Sequence, residues 1–329
     1  PIYTIGLGLN SVSSFSLVPV HPHKMIVFMS SIIQYNAIVK ITFLIPTLTN
    51  VSGLLYELKS LAKYPIIVID NAPIKAKALS ARNHPDCTYL PQSHNQGFAR
   101  AINLGVTHVK TDWICILNDD IEFPDTLPFA KLIQVAEQNH WVAISPLLTK
   151  KTGEVENIGY RVLPMGRAEP IYDLRSTTND QTLDGLTAAC LVMKTTIFRD
   201  LGGFDGRFFA YLEDIDLFLR LKRVGNHFGV AKQIKVIHNH MTTSGGMNNF
   251  KSKMDLKNWF FVIAKNWTWH DLFINFPSII IERLRNLSGF TKATWCSYGL
   301  RSLYIIPRDL LWILKELLIF PFKLETNRQ

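Results

Sequence analysis

Cysteines, charged residues and long apolar runs are all scarce in this 329-residue sequence. The cysteines are far apart and form no C-x-x-C pair: they are Cys87, Cys115, Cys190 and Cys296. This spacing argues against a disulfide scaffold or a structural zinc site, and it suits a reducing compartment. No stretch reaches the roughly 18 consecutive apolar residues of a confident membrane span. Hydrophobic residues make up 47% and charged residues 19%, which is typical of a folded protein with a core.

Acidic residues are fewer than basic ones, 26 against 35, which leaves a formal net charge of +9. Such an excess favours an anionic partner: nucleic acid, a phosphorylated ligand or an acidic membrane surface. We do not expect nucleic acid to be this partner, because the chain has no dense Lys/Arg block and no recognisable nucleic-acid-binding motif. An effect on solubility alone is the alternative explanation of the excess.

The N-terminal region contains no acidic residue before Glu57, and residues 1–24 show no periodic apolar pattern. Residues 25–39 resemble a poor signal peptide, but no small-residue cleavage site separates them from the apolar run that follows. We therefore expect residues 1–40 to be an N-terminal extension, with Met25 as the natural start, and the protein to be cytoplasmic.

From residue 41, short apolar runs alternate with helical patterns. The predicted strands are "KITFLIPT", "YPIIVIDNA", "CTYLPQ", "DWICILNDD" and "WVAISP". Helices are predicted over 97–109 and near 126–139, and this alternation predicts a mostly parallel sheet with right-handed crossovers. After residue 184 we expect a strand, a short helix, a Gly-rich turn, a helix over 213–224 and the strand-like "HFGVAKQIKVIHNH". Beyond residue 255 the pattern is helical and aromatic.

Polar side chains follow three of these strands at the point where each ends. Thr47 ends the first, Asp70 and Asn71 end the second, and the run Asn118 to Asp120 ends the fourth. Ligands of parallel sheets bind outside the carboxyl ends of the strands, so we expect these groups at the mouth of a crevice. Adjacent carboxylates suit a hard cation such as Mg²⁺ or Mn²⁺, although a capping role for the acid pair is the alternative.

The order of the motifs resembles family 2 glycosyltransferases with the GT-A fold, most closely their rhamnosyltransferase-like branch. The resemblance covers roughly 41–245 and rests on "FLIPTLTN", "IIVIDNA", "NQGFARAINLG", "ILNDDIEF" and "GGFDGRFFAYLEDIDLFLRLKRVG". It implies an α/β fold: a GT-A (Rossmann-like), mostly parallel sheet flanked by helices. We expect this glycosyltransferase domain over 41–250 and a helical, aromatic-rich appendage over 251–329.

The resemblance also implies roles for individual residues. Asp70 corresponds to the contact with the base or ribose, and Asn118 and Asp120 correspond to the ends of the metal-binding D-x-D motif. The family often has Asp where this chain has Asn118, so metal binding would rest mainly on Asp120, with Asp119 in the variable middle position. The nucleotide-sugar-binding residues are then predicted as Thr47, Asp70, Asn71, Gly97, Arg100, Asn118 and Asp119. For Arg100 a solvated helical face is the alternative.

The remaining implied residues lie towards the acceptor. The metal site would be completed by His238, which is preferred to His240, and the catalytic base would be Asp214, supported by Glu213. Both acids open a predicted helix, where the helix dipole stabilises negative charge, so a capping role is the alternative. Asp216 is interpreted as an i,i+4 partner of Arg220.

Together these features predict an inverting, metal-dependent glycosyltransferase. It would move a sugar, of hexosyl or rhamnosyl type, from a nucleoside diphosphate-sugar to a hydroxyl of a polysaccharide or lipid-linked glycan in cell-envelope biosynthesis. A nucleotidyltransferase is less well supported, because "PTLTN" lacks a Gly-rich phosphate loop. Two more hypotheses stay open: a polyprenyl-phosphate sugar transferase, and a catalytically inactive sugar-nucleotide-binding or membrane scaffold protein, which Asn118 would favour.

The C-terminal region mixes tryptophans and lysines in "KNWFFVIAKNWTWHDLFINF", as interfacial segments do. An apolar stripe at helical spacing follows in "PRDLLWILKELLIFPFKL". With the basic excess, this predicts peripheral attachment to an anionic membrane surface at the inner face of the cell membrane. Packing on the catalytic domain or on a second subunit is the alternative.

Overall fold

The structure is a computed structural model that describes residues 40–123, 129–173, 183–239 and 248–325. The strands are β1 (Ile41–Thr47), β2 (Ile66–Asp70), β3 (Cys87–Pro91), β4 (Trp113–Leu117), β5 (Ile121–Glu122), β6 (Ala143–Thr149), β7 (Val155–Asn157), β8 (Gly159–Val162), β9 (Ala168–Ile171), β10 (Cys190–Lys194) and β11 (Phe228–His238). The helices are α1 (Val51–Ser60), α2 (Lys75–Arg82), α3 (Phe98–Val106), α4 (Phe129–Gln138), α5 (Thr195–Asp200), α6 (Glu213–Arg223), α7 (Asn248–Asn266), α8 (Trp269–Tyr298) and α9 (Ser302–Glu325), with a 3₁₀ turn at Gly299–Arg301.

One large mixed sheet organises the fold, in the order β3-β2-β1-β4-β10-β6-β11-β5, with β7 paired to β6. Strands β1 to β4 are parallel to one another, as are β6 and β11, which confirms the predicted α/β sheet flanked by helices. Strand β10 differs from the expectation of parallel pairing, since it is antiparallel to both β4 and β6. Among the described elements β10 comes directly after the β8–β9 hairpin, and only parallel neighbours require a crossover connection.

The central strands are buried on both faces, so their sequences are almost continuously apolar. All residues of β2 and β4 are buried, and β1 is buried except at Pro46. Helix α3 covers one face with Ala101, Ile102 and Val106, as its periodicity predicts. Burial of these runs leaves polar groups only where the strands end, which places the predicted site residues along one edge of the sheet.

The C-terminal helices α7, α8 and α9 confirm the predicted helical region after the sheet. Helix α8 begins with a capping box in which Thr268 and Asp271 exchange hydrogen bonds. Trp259, Phe261 and Val262 of α7 form a buried cluster with Phe208, which precedes α6. The first helix of this region thus shares a core with the sheet domain, and the predicted boundary at residue 250 stays a prediction. Within the described ranges, no helix is both long and apolar enough to cross a membrane.

Candidate active site

The candidate site is built around the turn Asn118–Asp120, which follows β4. The backbone amide of Asn118 donates to the backbone carbonyl of Ala189 over 2.9 Å. The Asp119 carboxylate accepts a 2.7 Å hydrogen bond from the Thr47 hydroxyl at the end of β1. The predicted polar residues of two strand ends therefore do lie together.

Asp120 lies on the other side of the same turn, beside His238 at the end of β11. Its Oδ1 atom is 3.2 Å from His238 Nε2, while His238 Nδ1 is 2.9 Å from Oε1 of Glu156. Burial lowers the pKa of His238, but the hydrogen bonds and negative charges of Asp120 and Glu156 outweigh burial and raise it to about 9. In the ion-free protein, a protonated imidazole thus joins two carboxylates. The candidate His240 lies outside the described residues.

Asp119 is held out of water next to Asp120. Burial raises the pKa of Asp119 to about 6; the Thr47 hydrogen bond lowers it and the charge of Asp120 raises it. Its backbone carbonyl also accepts a hydrogen bond from the Asn50 side chain, which caps α1. A Cβ atom at Gly53 would lie 1.7 Å from that carbonyl oxygen, so only glycine permits this approach of α1 to the turn.

Glu57 of α1 lies fully buried beneath this turn, and sequence analysis missed it. Neither of its carboxylate oxygens has a hydrogen-bond partner in the described part of the chain. Burial raises the pKa of Glu57 well above its ordinary value, and the charges of Asp119, Asp120 and Glu122 raise it further. We therefore expect Glu57 to hold its proton at neutral pH.

Asp70, at the end of β2, is fully buried and bonded on both oxygens. Lys77 Nζ lies 2.5 Å from Oδ1, and the Tyr89 hydroxyl donates to Oδ2 over 2.7 Å. Lys77 also donates to the carbonyl of Leu48 in the loop after β1. Neither Lys77 nor Tyr89 carries a sequence signal that distinguishes it from a solvated helical lysine or a strand tyrosine.

Asn71 and Gly97 fix the loop that enters α3. The Asn71 side chain donates to the Gly97 carbonyl over 3.4 Å and accepts from the Gln96 amide over 3.3 Å. Gly97 has φ +83°, and a Cβ atom there would lie 2.4 Å from the carbonyl oxygen of Phe209. Arg100 is exposed on α3 and donates through Nε to the Gly206 carbonyl, 3.2 Å away. The predicted donor-side helix therefore touches the segment that leads to α6.

Asp214 and Glu213 open α6. The Asp214 carboxylate accepts from the backbone amides of Ile215 (2.8 Å) and Ala188 (3.3 Å). Burial raises the pKa of Asp214 to about 6, against these backbone hydrogen bonds, which lower it. Ala188 directly precedes Ala189, which accepts from the backbone amide of Asn118. The predicted base and the D-x-D-like turn therefore bond to adjacent residues.

Glu213 is buried, and its Oε2 atom has no hydrogen-bond partner among the described residues. Burial raises the pKa of Glu213 well above its ordinary value, and the charge of Asp214 adds to this effect. Asp216 is also fully buried and pairs with Arg220 over 2.9 Å, as its i,i+4 spacing predicts. Of the acids in this helix start, Asp214 is the one that combines raised basicity with partial exposure.

Tyr160 on β8 lies within electrostatic range of both Asp214 and Glu156, and sequence analysis missed Tyr160 and Glu156. Its side chain has hydrogen bonds with Thr187 and Asn157. Burial raises the pKa of Tyr160, and the charges of Asp214 and Glu156 contribute. Strands β7 and β8 are too short to show a periodic pattern, which is why neither residue stood out.

Comparison with known proteins gives a family assignment. Residues 32–202, just over half of the chain, match the family described as Glycosyl transferase family 2. The chain is 22% identical over 208 residues to the N-acetylglucosaminyl-diphospho-decaprenol L-rhamnosyltransferase of Mycobacterium tuberculosis, covering 55% of this chain and 68% of that protein. It is 20% identical over 201 residues to the low-salt glycan biosynthesis hexosyltransferase Agl10 of Haloferax volcanii, covering 58% and 63%.

Among solved structures, the fold is similar to the mannosyltransferase PcManGT from Pyrobaculum calidifontis, which was determined in complex with GDP-Man and Mn²⁺. The TM-score is 0.53 at 14% identity, over 88% of this chain and 90% of that one. At this identity the likeness concerns the fold, and it agrees with the expected GT-A architecture.

The buried acid beneath the turn makes the first prediction. A carboxyl group whose pKa is raised in the folded state stabilises the protein below its unfolded pKa and loses that contribution as pH rises towards the folded pKa. Glu57→Gln removes this loss, so the variant should be more stable than the parent near pH 7.5. The difference should shrink towards pH 4.5. Urea unfolding at both pH values measures it.

Glu154→Gln is the matched control, because Glu154 is exposed, forms an i,i+4 salt bridge with Lys150 and has a hydrogen bond with Thr152. Its stability should follow the parent at both pH values. A Glu57→Gln variant that is no more stable than the parent at pH 7.5 would show that Glu57 is ionised and compensated.

Proposed function

The chain belongs to glycosyl transferase family 2, and from this premise we propose that it transfers a sugar from a nucleoside diphosphate-sugar to an acceptor hydroxyl, with inversion. The observation that carries the proposal is that two adjacent residues contact both sides of the site: the backbone carbonyl of Ala189 accepts from the backbone amide of Asn118, and the backbone amide of Ala188 donates to the carboxylate of Asp214. This arrangement supports a donor side at the turn Asn118–Asp120 and an acceptor side at the start of α6, facing each other across one crevice.

On the donor side, the nucleotide would lie over the strand ends. Asn71 would contact the base or ribose. Asp70 is fully buried and bonded to Lys77 and Tyr89, so its carboxylate would contact the nucleotide only by giving up one of these partners. Thr47, Gly97, Asn118 and Asp119 would line the path of the donor, and the exposed side chain of Arg100 would turn towards a phosphate oxygen.

For a divalent cation, the residues present fit the role. Asp120 Oδ1 is buried, and His238 Nε2 faces it at 3.2 Å. Glu156 holds the other ring nitrogen of His238, as outer carboxylates do for metal-bound histidines. The described residues contain no group of three potential His, Cys, Asp or Glu ligands, so diphosphate oxygens and water would complete the shell. Mg²⁺ or Mn²⁺ there would neutralise the diphosphate leaving group.

On the acceptor side, Asp214 would act as the general base. Its carboxylate takes the proton of the acceptor hydroxyl while the hydroxyl oxygen forms a bond to the anomeric carbon and the bond from that carbon to the diphosphate breaks. A pKa of about 6 leaves Asp214 mostly ionised at pH 7 and more basic than an exposed aspartate. Glu213, whose pKa is raised by burial, would support the loop and orient the acceptor.

The acceptor class follows from the relatives and stays part of the proposal. The rhamnosyltransferase relative is named for a diphospho-decaprenol-linked sugar acceptor, and the hexosyltransferase relative for glycan biosynthesis. A hexosyl or rhamnosyl transfer to a polysaccharide or a lipid-linked glycan of the cell envelope is therefore the activity to test first.

Asp214→Asn should lower the transfer rate about 100-fold or more, because the amide cannot accept the proton. Donor-nucleotide affinity and thermal stability should change little, since the amide keeps the shape of the side chain. In the parent, the rate should fall as pH decreases through about 6, where Asp214 becomes protonated. Transfer rates over pH 5–8, with donor affinity from calorimetry, measure both effects.

Glu213→Gln is the matched control and should keep the acidic limb of the pH profile. Near-parental transfer by Asp214→Asn would remove the base role from Asp214. Absence of turnover in the parent with intact donor binding would favour an inactive sugar-nucleotide-binding protein.

Asp120→Asn should weaken binding of a nucleoside diphosphate in the presence of Mn²⁺ by at least about tenfold, because the amide replaces an anionic oxygen ligand. Asp119→Asn, one residue away and bonded to Thr47, should change the Mn²⁺-dependent part of the affinity much less. Titration calorimetry with and without EDTA separates the two contributions. Equal affinity of the parent in Mn²⁺ and in EDTA would contradict the metal site.

The exposed surface of the C-terminal helices supports attachment to an anionic membrane. One stripe of α8 is exposed at i, i+4, i+7 spacing, with Trp269 88%, Phe273 85% and Phe276 61% exposed. On the next helix, Leu303, Tyr304, Leu311 and Leu318 are at least 67% exposed. Exposed basic side chains lie elsewhere on the same region: Arg285 and Lys292 on α8, Arg301 in the turn after it, and Arg308 and Lys315 on α9. Helices that lie in the interface of an anionic bilayer combine an exposed apolar stripe with basic residues in this way.

Trp269→Ser, Phe273→Ser and Phe276→Ser combined should weaken co-sedimentation with vesicles containing anionic lipid by at least about tenfold. The reason is that burial of one such side chain contributes roughly 1.5–3 kcal/mol. Tyr172→Ser with Val224→Ser, which removes exposed apolar side chains from the sheet domain, is the matched control and should bind as the parent does. Equal vesicle binding by both variants would contradict this membrane surface, and concentration-dependent dimerisation lost only in the triple variant would assign it to a second subunit.

A further inference from the structure

The segment Arg207–Leu212, here called the acceptor loop, delivers the chain to Glu213 and Asp214. Three of its residues, Phe209, Tyr211 and Leu212, have φ between +67° and +69°. Non-glycine residues rarely adopt this left-handed region, and they keep it only where surrounding contacts impose it. The acceptor loop therefore needs external contacts that hold its backbone.

Two adjacent side chains of helix α7 provide most of these contacts. Asn258 Nδ2 lies 3.0 Å, 2.8 Å and 2.7 Å from the carbonyl oxygens of Phe208, Ala210 and Tyr211. Lys257 Nζ donates to the carbonyl of Arg207 over 2.8 Å. Asn258 is fully buried, so none of these carbonyls has water as a ready substitute.

The carbonyl left over, that of Phe209, accepts from the backbone amide of Ala99 at the start of α3 over 3.2 Å. Every carbonyl from Arg207 to Tyr211 thus bonds to an element outside the loop. Helix α3 holds the loop from the donor side and helix α7 holds it from the opposite side. Neither helix contributes the catalytic carboxylate itself.

The far end of α7 reinforces this arrangement on both flanks of the loop. Lys265 Nζ lies 2.8 Å from the carboxylate of Asp205, two residues before the loop, and 2.8 Å from that of Asp216, in the first turn of α6. Asp216 is fully buried, and this pairing offsets part of the cost of removing its charge from water. Helix α7 therefore bonds to the chain before, along and after the loop.

We propose that Asn258, assisted by Lys257, is a positioning residue for sugar transfer: it holds the acceptor loop in its left-handed conformation and so directs the carboxylate of Asp214 at the acceptor. This inference rests on the proposed function. It assigns to the C-terminal region a task inside the active site, separate from any contact with a membrane.

The test compares two buried asparagines of the same helix. Asn258→Ala removes the amide that bonds to the acceptor loop, and Asn249→Ala removes a buried amide that bonds to Thr294 of α8 instead. Both should lower the melting temperature. At a temperature where both variants are folded, Asn258→Ala should lower kcat for transfer roughly 10–100-fold, as small misplacements of a catalytic group do. Asn249→Ala should keep kcat within about twofold, since it leaves that group in place.

Donor-nucleotide affinity should remain parental in both variants, because the donor side lies at the strand ends. Equal losses of kcat in the two variants, or parental kcat in Asn258→Ala, would overturn the proposal. If Asn258→Ala does not fold, Lys257→Met removes only the contact with Arg207, and the same comparison applies with a smaller expected loss.

A double variant separates this inference from the proposed function. With Asp214→Asn already present, Asn258→Ala should reduce transfer by less than about twofold more, because a base that is absent cannot be misplaced. Multiplicative losses would show that Asn258 acts on something other than Asp214. Retention of transfer by Asp214→Asn alone would show that Asp214 is not the base. The comparison of Asn258→Ala with Asn249→Ala would still show whether catalysis depends on the conformation of the acceptor loop.

Discussion

The crevice depends on keeping several carboxyl groups close together and out of water. Uncompensated burial of charge is costly, and each acid here is relieved in a different way. Asp119 accepts from Thr47, Asp120 lies beside His238, whose pKa is raised to about 9, and burial raises the pKa of Glu57 well above its ordinary value. A negatively charged donor would be repelled by these carboxyl groups. It can bind beside them only if a cation accompanies it or the acids are already neutralised. The proposed divalent cation would meet this requirement.

The second constraint is strain in the backbone that presents Asp214. Left-handed residues next to a buried carboxylate would relax in a free loop. In this protein they are held between α3 and α7, and the requirement for glycine at position 97 shows how closely α3 approaches. Donor-side and acceptor-side elements are consequently coupled through one loop. A change on either side would therefore alter the position of Asp214, the proposed base. This coupling explains why the helical region after the sheet cannot be treated as an independent attachment.

Much of the fold was predictable because buried strands have continuous apolar sequences and end in polar residues. The predictions for β1, β2 and β4 and for α3 rested on this pattern, and the polar groups Thr47, Asp119 and Asp120 do meet at one edge. The reversed direction of β10 was not predictable, since strand periodicity contains no information on direction. Lys77, Glu156 and Asn258 were missed because their roles depend on contacts with residues distant in sequence. An isolated polar residue in a helix or hairpin carries no local signal of such a partner.

The central claim is that Asp120 and His238 form the protein part of a cation site that also holds the donor diphosphate. Electron spin echo envelope modulation of the Mn²⁺-loaded protein with a nucleoside diphosphate tests it directly, because it detects the nuclei bonded to the metal. The account predicts modulation from both the ¹⁴N of an imidazole and the ³¹P of the diphosphate, with the nitrogen signal lost in His238→Gln. A spectrum with ³¹P modulation alone, identical to that of Mn²⁺ and the nucleotide in solution, would contradict it.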